Sequence, residues 1–218
     1  MGPGGDSVLH LQSQTSVQPN AEFGSAVSEE DLLRAQHYRL LAHALSGPLV
    51  SQSLAMISAL KSDAATPLGR AMSEWVIAAQ RATVTQLAEQ YQELFIGLGR
   101  GVLVPYGSYY LTGFLHEKPL ARLREDMARL GIERNKDVSE PEDHIASVLE
   151  IMAGLIDGSL GGDLAHDEQR RFYAGHIGSW ARHFFRDLAE VRDAPFYAAL
   201  GTVGGAFLEV EEQALDYG

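Results

Sequence analysis

The densest group of side chains able to do chemistry is Ser139-Glu140-Pro141-Glu142-Asp143-His144. Neighbouring carboxylates raise one another's pKa, so Glu140, Glu142 and Asp143 could act as general acids or bases. They could equally take a guanidinium in charge-assisted pairs. With His144 they also contain the donor types of a metal site. A shared metal on Asp143 and His144 meets a geometric objection, because adjacent residues on a helix diverge by about 100°. His176 and His183 lie two turns apart on a helix, beyond the i, i+4 spacing that chelates one ion. No His-Glu-x-x-His occurs. A helical metal-dependent hydrolase using Asp143 and His144 is therefore the rival reading rather than the leading one.

Other catalytic patterns are weaker still. Ser108, in Pro105-Tyr106-Gly107-Ser108-Tyr109-Tyr110, lacks the Gly-x-Ser-x-Gly frame of a serine nucleophile. Gly97, Gly99 and Gly101 suggest a phosphate loop by composition only, with no Gly-Lys-Ser/Thr ending and no preceding strand. The chain has no Cys, which excludes disulfides, a thiolate nucleophile and Cys-ligated clusters, and fits a reducing cytoplasm. No cofactor site is expected.

The elements that must position the acidic group are helices. Ser139 with Glu142 reads as a capping box and Pro141 falls in the first turn, so a helix is predicted to start there. Ile145, Val148, Leu149, Met152, Leu155 and Ile156 continue it at helical spacing. On that wheel His144 lies at the edge of the apolar face and Asp143 points away from it. Asp143 is then surplus to the core, and its partner is expected in another segment or another molecule.

Elsewhere, Ser28 with Glu29, Glu30 and Asp31 opens a helix that Gly47-Pro48 stops. A short helix is expected over 49–60. Thr66-Pro67 opens a long one running through Leu68, Met72, Trp75, Ala79, Leu87, Tyr91 and Leu94 to Gly97. Residues 119–130 form another, ended by Gly131. One helix is predicted over 165–191 and a last one from Pro195, in which Gly201, Gly204 and Gly205 require a closely packed neighbour. No segment alternates like a strand, so the fold class is all-α. Residues 28–218 read as one helical domain of two parts, 28–130 and 140–218, joined by a polar hinge near 131–140. Residues 1–27 read as a flexible leader without the basic and apolar regions of a signal peptide.

Across 218 residues the composition is ordinary for a globular chain, 45% hydrophobic and 21% charged, with a formal net charge of -12. That charge argues against nucleic acid, whose binding needs clustered Lys and Arg. No apolar run approaches the roughly 20 residues that span a bilayer. An aromatic neighbourhood (Tyr91, Phe95, Pro105, Tyr106, Tyr110) together with an acidic helix start suits a peptide that carries Arg beside an apolar stretch.

Three ordered segments resemble the TorD/DmsD family of redox-enzyme maturation chaperones: Glu140-Pro141-Glu142-Asp143-His144, similar to the family's Glu-Pro-x-Asp-His; Tyr91-Gln92-Glu93-Leu94-Phe95 leading to Pro105-Tyr106-Gly107-Ser108-Tyr109-Tyr110-Leu111; and Pro195-Phe196-Tyr197-Ala198-Ala199-Leu200. The resemblance implies a cytoplasmic, non-enzymatic, all-α chaperone. It would bind the twin-arginine signal peptide or the apo form of a molybdopterin oxidoreductase until its cofactor is inserted. It further implies that Asp143 and His144, with Glu140, hold the peptide, and that Phe95, Pro105 and Tyr106 line the adjacent groove. Tyr106 stands where relatives often have Trp. A monomer or a dimer that exchanges domains through the hinge is expected.

Overall fold

Ser28 starts α1 (Glu29–Leu45) by accepting the Asp31 N–H at 3.0 Å, with three acids set against the positive end of the helix dipole. The computed structural model of the protein describes residues 12–13, 27–97, 101–134, 140–160 and 166–217. After α2 (Ser51–Ser58), Thr66 accepts the Gly69 N–H and Pro67 occupies the first position of α3 (Pro67–Arg81).

The long helix expected to continue from here to Gly97 is instead interrupted. Ala82 is extended, and Thr83 with Gln86 forms a capping box that opens α4 (Val84–Tyr91). The box meets the donors that a restarted helix exposes, so the break costs little. A π-helical turn (Gln92–Ile96) follows, closed by Gly97 at φ 54°, where a Cβ would be strained. The apolar spacing survives the break: Leu87, Tyr91 and Leu94 are all buried.

The chain continues through α5 (Gly107–Thr112) and α6 (Lys118–Arg129), which Gly131 ends. It then passes through α7 (Ile145–Ile156), α8 (His166–His176), α9 (Ala181–Ala189) and α10 (Pro195–Tyr217). The single helix predicted over 165–191 is thus two. The break lies at 177–180, where the buried Trp180 leaves helical geometry and its indole N–H donates to the His176 carbonyl at 2.8 Å. His176 and His183 consequently sit on different helices.

Every α7 residue except Glu150 is buried, as expected of a helix that is apolar all round. This corrects the amphipathic reading of that segment. α1 and α8 pack against α7, and α10 packs against α3 and α9. At Gly201 an added Cβ would lie 2.4 Å from the Ala189 backbone nitrogen, and at Gly204 one would lie 2.2 Å from the Phe185 ring. These two glycines meet the expected close neighbour, whereas Gly205 faces open space.

The fold class is all-α, as expected. Among the described residues, extended pairing is confined to β1 (Gln12–Ser13) with β2 (Ile132–Glu133), antiparallel, and an isolated bridge between Tyr106 and His144. Among them, too, no helix is long and apolar enough to cross a membrane. Ser139 of the expected capping box, residues 135–139 of the expected hinge, most of the 1–27 leader, Gly99, Gly161 and Gly162 lie outside the described residues.

Candidate functional site

The helix predicted to begin at Ser139 to Pro141 begins at Ile145, with His144 as its N-cap. The reason is that residues 140–144 are recruited elsewhere. They lie against 105–108, where Gly107 N–H donates to the Asp143 carbonyl at 2.9 Å and Ile145 N–H donates to the Pro105 carbonyl at 2.8 Å. With a turn over 141–144 closed by His144 N–H to the Pro141 carbonyl at 3.1 Å, those bonds make the acidic segment a strap that ties the start of α7 to the start of α5.

Asp143 secures the strap. Its side chain is 4% exposed and Oδ2 accepts the Ser108 N–H at 2.8 Å. Tyr106, the residue at the N-cap position of α5, supplies no capping side chain of its own. Asp143 therefore caps α5 from 35 residues away, and its charge also suits the positive end of that helix. The partner expected in another segment or molecule is thus found in another segment of the chain, at Ser108, whereas the reading of Asp143 as surplus to the core is corrected, because the residue is buried. Gly107 completes the fit, since a Cβ there would sit 3.0 Å from the Trp180 indole nitrogen.

Glu142 is also buried, at 8% exposure, and its Oε2 accepts from Arg124 Nε and Nη2 of α6 at 3.1 and 2.8 Å. Burial alone would raise its pKa, but the hydrogen bond and charge of Arg124, helped by Arg134, hold the carboxyl below the usual range. His144 is buried between these acids. Its Nδ1 accepts the Ala146 N–H at 3.2 Å, which places the ring proton of the neutral imidazole on Nε2. Burial pushes its pKa down to about 4, against the opposing pull of Glu140 and Asp143. Protonation would put a hydrogen on Nδ1 and abolish the cap.

Two candidates remain within reach of a partner. Glu140 is exposed, and the half-buried Tyr106 donates its phenol to Glu140 Oε2 while its ring meets the His144 ring edge-on at 5.1 Å. Burial and the Glu140 carboxylate keep that phenol protonated. Pro105 is buried beneath the strap. Phe95 is half-buried, packed against Tyr91 at 4.9 Å and edge-on to Tyr197 at 5.7 Å. Burial and the nearby charge of Glu140 push the Tyr91 phenol up to about 12. Tyr110 does not join them, because it turns to α9, its ring tilted against Trp180 at 5.6 Å and its phenol donating to Asp187 at 3.1 Å.

The structure thus gathers Pro105, Tyr106, Glu140, Asp143 and His144 into one junction, with Phe95 nearby, packed on Tyr91. Sequence reasoning overlooked the Gly107 and Ser108 N–H groups as the donors to Asp143, and Arg124 as the partner of Glu142. A glycine wedged between Tyr106 and Ser108 was the available signal for the first; nothing local signals the second. Chemically, one solvent-facing carboxylate backed by a phenol, next to an aromatic wall, is suited to holding a cation. The rival metal-hydrolase reading finds Asp143 Oδ2 and His144 Nδ1 already bonded to backbone N–H groups. Among the described residues no cluster of three or more His, Asp or Glu side chains could hold a metal.

A family model described as the nitrate reductase delta subunit matches residues 61–186, a stretch that contains both sides of the strap. The chain belongs to this family. Similar relatives include the chaperone protein TorD of Vibrio cholerae, 29% identical over 138 residues that cover 60% of this chain and 63% of TorD. Another is a protein of Haemophilus influenzae named as a Tat proofreading chaperone, DmsD, 32% identical over 116 residues that cover 52% of this chain and 54% of that one. The match thus spans under two thirds of each of these relatives. The expected membership of the TorD/DmsD family is borne out, and these relatives carry the names of chaperones, not enzymes. Among solved structures, a redox enzyme maturation protein from Archaeoglobus fulgidus shares the fold, with a TM-score of 0.55 at 20% identity over 88% of this chain and 99% of the other.

Proposed function

We propose that this chain is a cytoplasmic maturation chaperone that binds the twin-arginine signal peptide and the apo form of a molybdopterin oxidoreductase, so that cofactor insertion precedes export. The observation that carries this reading is the exposed Glu140 carboxylate, backed by the Tyr106 phenol, with the half-buried Phe95 ring, packed on the buried Tyr91, as the aromatic surface nearby. A guanidinium gains a charge-assisted bond from the first, and apolar side chains of the peptide gain contact with the second. The names of the TorD and DmsD relatives support the class of client. Asp143 and His144 then act as positioning residues that hold Tyr106 and Glu140 in place, and do not touch the peptide themselves.

Titration with twin-arginine signal peptides of candidate molybdoenzymes tests the proposal. Glu140→Ala and Tyr106→Ala should each weaken binding several-fold with the circular dichroism spectrum unchanged. Replacing the two peptide arginines with Gln should weaken wild-type binding, most of all at low salt where exposed charges are least screened. Failure of every such peptide to bind, or wild-type affinity in both variants, would sink the reading.

A further inference from the structure

The chain that leaves α6 offers a short main-chain edge, and a remote part of the same chain sits on it. β2 (Ile132–Glu133) pairs antiparallel with β1 (Gln12–Ser13), Gln12 opposite Glu133 and Ser13 opposite Ile132. β2 belongs to the helical body, since Ile132 is 4% exposed and packed in the core, whereas Glu133 is exposed.

The next residue joins this edge to the peptide site. Arg134 donates from Nη2 to the Glu140 carbonyl at 3.3 Å, and its Nε lies 3.8 Å from the Glu142 carboxylate. Its charge is thereby met by Glu142. Glu133, on the edge, and Glu140, at the far end of the Arg134 contact, are both exposed carboxylates.

Strand addition draws on main-chain groups, so such an edge accepts an extended chain of any sequence and leaves selection to side chains. β1 supplies the pairing without the charge. The first Lys or Arg of the chain is Arg34, within α1, so the segment that carries β1 brings no cation to Glu133 or Glu140. It does bring an apolar run, Val8-Leu9-His10-Leu11, directly before the paired residues. That is half of the composition expected of the client peptide, the apolar stretch without its arginines. A pairing only two residues long is weak in itself and persists because the two strands share one chain.

We propose that β2 is a strand-addition edge for the twin-arginine peptide of the client, and that β1 is an internal stand-in which the peptide displaces. The inference rests on the peptide-binding reading above and extends it. An extended stretch of the peptide takes the β2 main chain, while its arginines meet Glu133 and Glu140. The tethered stand-in competes at every protein concentration, so apparent affinity for the peptide falls with the fraction of molecules whose edge is open.

The experiment uses the full chain and its Gln12→Pro/Ser13→Pro variant. In an antiparallel ladder one of two neighbouring opposed pairs carries both bonds, and the double substitution removes the β1 donor whichever pair that is. The probe is a labelled twin-arginine signal peptide from the titration above. Fluorescence anisotropy should show it binding the variant about threefold or more tighter than wild type. Amide exchange within Ile132–Glu133, followed by NMR, should be slow in the free wild type, fast in the free variant and slow again once peptide is added. Glu133→Gln should weaken the peptide about threefold yet leave the edge protected in the free protein, because β1 does not use that charge. Equal affinity of the wild type and the proline variant overturns the inference while peptide binding stands. So does fast exchange at both amides of the variant with peptide bound. Absence of binding in both forms overturns the peptide-binding reading, and the inference with it.

Discussion

Two seams in this molecule bring chain segments together by opposite means. Between α9 and α10 the chain removes side chains: Gly201 and Gly204 let the helix backbone meet the Phe185 carbonyl and ring directly. At the junction of 105–108 with 140–145 it adds polar groups that find named partners, Ser108 N–H in Asp143, Ala146 N–H in His144 and Arg124 in Glu142, while Asp143 Oδ1 and the Ser108 hydroxyl are buried without one. The apolar seam is governed by volume and tolerates nothing larger. The polar seam is governed by direction and tolerates no lost acceptor. It is also the seam that leaves a charged group, Glu140, facing solvent.

The largest expected effect breaks the apolar seam. Gly201→Val should destabilise the chain by about 3 kcal/mol or more, because the clash is with α9 backbone, which cannot rotate away. Chemical denaturation would measure it, and Gly205→Ala, facing open space, serves as a neutral or stabilising comparison. A loss at Gly201 no greater than at Gly205 would remove volume as the governing quantity.

Next is the pH response of the polar seam. Native His144 stays neutral down to about 4, while the unfolded chain takes up a proton below about 6.5. Its contribution is complete above 6.5 and is lost as pH falls toward 4, by up to about 3 kcal/mol, with no further loss below. His144→Asn keeps an N-cap acceptor without the titration, so its stability curve should be flatter than that of wild type between pH 6.5 and 4. Parallel curves would show that His144 does not carry the acid response.

Asp143→Ala should cost about 2 kcal/mol, since a buried N–H at the start of α5 loses its acceptor, and Asp143→Asn should cost less because an amide oxygen still accepts. Equal losses in the two variants would mean that charge at the helix terminus, not the bond, is what matters. The smallest effect on stability is expected at the exposed end of the seam. Glu140→Gln should change stability by less than about 1 kcal/mol, as surface charges do. It should nevertheless weaken binding of a twin-arginine peptide, so that affinity and stability part company.

Much of the fold was legible because its signals are local. Ser28 and Thr66 cap where expected, Gly131 stops α6, and the apolar series of α3, α4 and α7 are buried nearly throughout. The breaks at Ala82 and at 177–180 were missed because apolar spacing carries across a short interruption without changing phase enough to betray it. The candidate site was legible as a set of residues but not as a set of roles. Asp143 and His144 were placed on a helix that starts after them, which turned an internal cap into an apparent surplus charge.

The sequence by itself determined that the chain is helical, which faces seek the core, and that an acidic segment precedes the most apolar helix. Those properties arise from neighbours three and four residues apart, and every chain of this pattern meets them at once. Only the tertiary structure decided that Asp143 is buried and Glu140 is not. The donor that Asp143 satisfies lies 35 residues away, and a carboxylate goes inside only where such a donor has been brought to it.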